Sequence, residues 1–93
     1  MNDMPAPLER LIADGLLRVE GTTHRTTRRW QGAMARAARH LVESGERNED
    51  LRVPITFALI EIYGADCPDA ELVELIDAIG PIEAAELGAR RSA

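Results

Sequence analysis

Lysine is absent from this chain of 93 residues; all 11 basic positions are arginine. A genome rich in GC base pairs would produce the same bias, so the arginines carry meaning only through their spacing. Cysteine is nearly absent too. A single thiol, Cys67, excludes an internal disulfide, so the fold stands on its core, which suits a reducing cytosol. Aromatic residues number three: Trp30, Phe57 and Tyr63. Long apolar runs are missing. The most apolar stretch, Ile55 to Ile62, contains Thr56 and Glu61 and falls far short of the ~20 residues that a membrane span needs. The first residues, Met1-Asn2-Asp3-Met4-Pro5, have neither the basic nor the apolar region of a secretory signal. The expectation is a cytoplasmic protein with no membrane partner.

What is present describes one globular domain over residues 1–93, with 1–6 and 88–93 expected to fray. Hydrophobic residues make up 45% and charged residues 29%, a balance that excludes wholesale disorder. The net charge of −5 disfavours a nucleic-acid protein that relies on overall charge.

The spacing predicts helices throughout. Leu8, Leu11, Ile12, Leu16 and Val19 place an amphipathic helix over about Pro7–Val19, with Gly15 as a weak point inside it. Val19 to Thr23 reads as a turn. Trp30, Met34, Ala37 and Leu41 recur at helical spacing over about His24–Glu43, with Thr22 or Thr23 as N-cap and Gly45 as the stop. Glu46 to Asp50 is a polar turn. A third helix covers about Pro54–Tyr63 and is apolar nearly all round; a strand is the rival there, but Glu61 breaks the alternation. A fourth runs from about Pro68 to Ile79 and stops at Gly80, and Pro81 opens a short fifth to about Leu87. Together these predict an all-α fold: a compact antiparallel bundle of four main helices plus a short C-terminal fifth.

Charge is divided unevenly along the chain. Arg25, Arg28, Arg29, Arg36 and Arg39 fall within about 100° of arc on the second helix, and no acid lies between Gly21 and Val42. From Glu61 to Glu86 there are eight acids and no base. Each face is consistent with plain solvation. The arginines also suit a docking surface for an anion, and two outward faces of opposite charge could meet between two copies of the chain. Phe57 and Ile60 lie off the main stripe of the third helix and are candidates for an apolar interface.

Catalytic and metal chemistry find no support in the residue pattern. His24 and His40 are 16 residues apart with no ligand at metal spacing. Cys67 stands beside Asp66 and Asp69, which oppose a thiolate. All seven glycines are isolated, so there is no phosphate loop. The expected function is therefore non-enzymatic, without cofactor or metal. The chain reads as a protein-interaction module, an accessory subunit or small regulator. It would dock another protein, or a second copy of itself, through Arg25, Arg28, Arg29, Arg36, Arg39, Phe57 and Ile60. The alternative is a small DNA-binding regulator that uses the second helix for recognition, with Arg25, Arg28 and Arg29 at its start.

Overall fold

The computed structural model describes residues 6–45 and 50–92, with side chains through Arg90. The polar turn expected over Glu46 to Asp50 lies mostly outside the described residues, as do residues 1–5 and 93. The fold is mainly helical, but it corrects the expected bundle of four helices plus a fifth. The element order is α1 (Pro7–Ala13), β1 (Leu17–Glu20), β2 (Thr23–Thr26), α2 (Arg28–Glu43), α3 (Arg52–Tyr63) and α4 (Asp69–Ser92).

The first correction lies between α1 and α2. Helix α1 stops at Ala13 because Gly15 takes a φ of +77°, a region open to glycine at little cost. The amide of Leu16 then bonds the Leu11 carbonyl at 2.9 Å, and that of Gly15 bonds the Ile12 carbonyl at 3.0 Å. This is a Schellman closure, which satisfies the last carbonyls of the helix. Residues 17–20 and 23–26 then form an antiparallel hairpin, with Leu17 opposite Thr26 and Glu20 opposite Thr23. The two-residue loop has Gly21 at φ +63° and no positive φ at Thr22, as a type II′ turn requires. The predicted turn is therefore real, but it joins two strands. Leu16 and Leu17 both enter the core, whereas Val19 is left 55% exposed.

Thr27 ties the hairpin to α2. Its hydroxyl donates to the Gly15 carbonyl at 2.6 Å and accepts from the Trp30 amide at 3.4 Å. It is the N-cap of α2, five or four residues later than the threonines expected in that role. Trp30, Ala33, Ala37 and Leu41 form the buried side of α2. Helix α3 is helical as expected and ends at Gly64, whose φ is +93°. Its Ile55, Ala58 and Leu59 join Leu75, Ile76 and Ile79 of α4, Leu11 of α1 and Trp30 in one core cluster.

The second correction is α4. It does not stop at Gly80; it runs 24 residues with Pro81 inside it, about 36 Å in all. An interior proline removes one backbone bond and crowds the preceding turn. The segment after it stays in line because Ile82 and two glutamates, Glu83 and Glu86, are held by partners from α2 and the hairpin. The expected fifth helix is the second half of the fourth.

Candidate functional site

Two surfaces and one internal joint draw together the charged residues of the chain. The joint lies where the hairpin meets the second half of α4. Glu83 is 3% exposed, and its Oε1 accepts from the indole Nε1 of Trp30 at 2.9 Å. Its Oε2 accepts from Arg90 at 3.1 Å. One turn on, Glu86 accepts from the amide of Thr26 at 2.8 Å and from its hydroxyl at 2.5 Å, while Arg25 stands 3.4 Å away. The Thr26 amide points away from β1, so Glu86 caps an otherwise open strand edge. Burial works to raise the Glu86 carboxyl, but the Thr26 bonds and the charges of Arg25 and Arg90 outweigh it and hold it below its usual range.

A groove of about 770 Å³ opens beside this joint. Arg25, Glu86 and Arg90 line it, and Pro81, Ile82, Ala85 and Ala89 of α4 form an apolar floor.

A second cluster joins α1, α3 and α4. The hydroxyl of Tyr63 donates to Asp14 at 2.5 Å, and the Arg10 guanidinium lies over the tyrosine ring, 4.8 Å from its centre. Arg10 also reaches Glu71 at 3.4 Å. Burial first, then the bond to Asp14, raises the tyrosine well above its ordinary range. This cluster locks Tyr63 in its neutral donor form.

The remaining surface runs along α2 and α3. Arg36 makes a two-pronged bond to Glu61, Nε to Oε1 at 2.8 Å and Nη2 to Oε2 at 2.6 Å. Beside it, the His40 and Phe57 rings stand 5.7 Å apart. Phe57 is 41% exposed, and Val53 and Ile60 share its side of α3 within an arc of about 60°. The apolar flank of α3 and the arginine side of α2 thus form one continuous face.

The arginines of the predicted stripe have different fates. Arg25 is on β2, not on a helix, and faces Glu86. Arg29 is in the first turn of α2, and its guanidinium donates to the Asp14 carbonyl. Arg36 pairs with Glu61. Arg28 and Arg39 are exposed, with no partner among the described residues. Basic and acidic residues expected on two outward faces therefore meet inside the chain at two pairs. Arg25 left the helix, and Arg36 sits at the α2–α3 seam, where Glu61 is edge-on to it.

His24 lies on β2 and His40 on α2, and Cys67 is half-buried in the turn before α4. Among the described residues no three His, Cys, Asp or Glu side chains gather where a metal ion could be held. No described helix is long and apolar enough to cross a membrane. The buried role of Glu83 and Glu86 had no local signal in the sequence. The hairpin did have one: Gly21-Thr22 flanked by β-branched residues. No protein-family model, no curated protein and no solved structure matches the chain.

Proposed function

We propose that the chain is a non-enzymatic protein-interaction module that docks an acidic partner on the α2–α3 face. The observation that carries this reading is the seam itself. The Arg36–Glu61 pair and the His40–Phe57 contact place an exposed aromatic ring next to helix α2, whose outer arginines Arg28 and Arg39 are free of partners among the described residues. A buried aromatic anchor with flanking arginines is the composition that dominates binding energy at protein interfaces. Arg25 drops out of the docking set because it lies on β2 and not on α2, and Arg29 because the Asp14 carbonyl holds it.

The test is capture of a partner from the native host by four forms of the protein. Wild type and an Arg18→Ala control retain the partner, while Phe57→Ala and Arg28→Ala/Arg39→Ala both lose it. Retention by all forms refutes the docking face. Recognition of DNA by α2 is the second reading. It would draw on Arg28 at the helix start, since Arg25 lies on β2 and Arg29 is held by Asp14. Binding of random duplex at low salt that is lost in Arg28→Ala would favour it over the first.

A further inference from the structure

We infer that the groove between β2 and the second half of α4 binds an amphipathic monocarboxylate, with its head on Arg25 and Arg90 and its apolar body on α4. The groove is independent of the α2–α3 face. Its volume of about 770 Å³ falls in the range of small-molecule sites.

The head end is built from two arginines fixed from behind. Arg25 uses only its Nε toward Glu86, and Arg90 uses only one Nη toward Glu83. A guanidinium carries five N–H donors, so each keeps donors that meet no partner among the described residues. Both side chains are about half exposed, at 49% and 52%, whereas those of Glu86 and Glu83 are 12% and 4% exposed. Glu86 lines the groove but is mostly turned to Thr26, and Glu83 does not line it, so a solute there meets mainly the two cations. The four groups sum to zero formal charge, which favours a monoanion over a dianion such as a phosphate monoester. A planar carboxylate also matches the planar fork of a guanidinium. Buried Glu83 and half-buried Glu86 hold the two forks in place before any ligand arrives, which lowers the cost of binding.

The body end is the floor. Pro81, Ala85 and Ala89 follow at i, i+4 and i+8 on α4, a line of about 12 Å, with Ile82 beside them. That length suits an unbranched chain of roughly ten carbons lying along the helix.

Trp30 supplies a built-in reporter, being the sole tryptophan and bonded to the same Glu83 that anchors Arg90. Decanoate, below its micelle threshold, is titrated with emission of Trp30 and calorimetry as readouts. Saturable binding near one per chain is expected. Decanol and decyl phosphate should each bind at least about tenfold more weakly, and decyltrimethylammonium should not bind. Arg90→Gln should weaken decanoate about tenfold or more. Ala85→Phe fills the floor from an exposed position without touching either glutamate, and should abolish binding while circular dichroism stays unchanged. Absence of saturable binding, equal affinity for decanol or the cation, tighter binding of decyl phosphate, or an unaffected Ala85→Phe variant overturns the assignment.

Discussion

Truncation of Glu83 to alanine should be among the most damaging single changes in this protein. The indole N–H of Trp30 is buried with Glu83 as its acceptor, and the tryptophan is 0% exposed. Removing the carboxylate strands that donor, at a cost of about 1–3 kcal/mol, and opens a small void besides. The lost pair with Arg90 adds less than about 1 kcal/mol, because that guanidinium is half in water. The sum is roughly 2–4 kcal/mol, out of a total stability of roughly 5–14 kcal/mol for a chain of this length. Glu83→Gln keeps an acceptor for the indole and should cost about 1 kcal/mol. Urea denaturation followed by far-UV circular dichroism measures both. A double-mutant cycle with Trp30→Phe isolates the bond: the two changes together should cost at least about 1 kcal/mol less than their sum. Equal losses for Glu83→Ala and Glu83→Gln, or strict additivity with Trp30→Phe, would refute the role given to this contact.

Three further outcomes follow from the same structure. Glu86 has a native carboxyl pKa below the ordinary 4.5, so its stabilisation is fully present above that pH and drains away as pH falls through the lower native value; Glu86→Gln should flatten this acid limb of a stability–pH curve. Tyr63 has the opposite sign. Its raised value means that its contribution is present below pH 10 and is lost as pH climbs beyond it, so the sole tyrosine should ionise only as the chain unfolds, and in Asp14→Asn it should ionise at lower pH. Pro81→Ala restores a backbone donor inside a continuous helix and should raise stability by about 1–3 kcal/mol with no loss of helical content; a neutral or harmful effect would mean that a break at Gly80–Pro81 is needed.

Where local pattern sufficed, the sequence was a sound guide. The Trp30, Ala37 and Leu41 stripe is buried on α2, Gly45 follows the helix it was expected to end, and residues 54–63 are helical. Where two local readings competed, periodicity misled. Leu16 and Val19 continue the stripe of α1 on paper, yet Gly15 turns the chain, and the β-branched residues around Gly21 pair instead. Pro81 looked like a helix start because an interior proline is costly in isolation; the anchors that keep the helix whole lie over 50 residues away.

Sequence alone thus determined the apolar stripe of α2 and the ends of α2 and α3, because those depend on residues within a turn or two of one another. Tertiary structure decided how the charges are used. The uniform basic stripe and the uniform acidic segment dissolve into specific pairs: Arg25 with Glu86, Arg36 with Glu61, and Glu83 shared between Trp30 and Arg90. Only packing sets which carboxylate loses its water and must take a partner, and that distance in space has no counterpart in the distance along the chain.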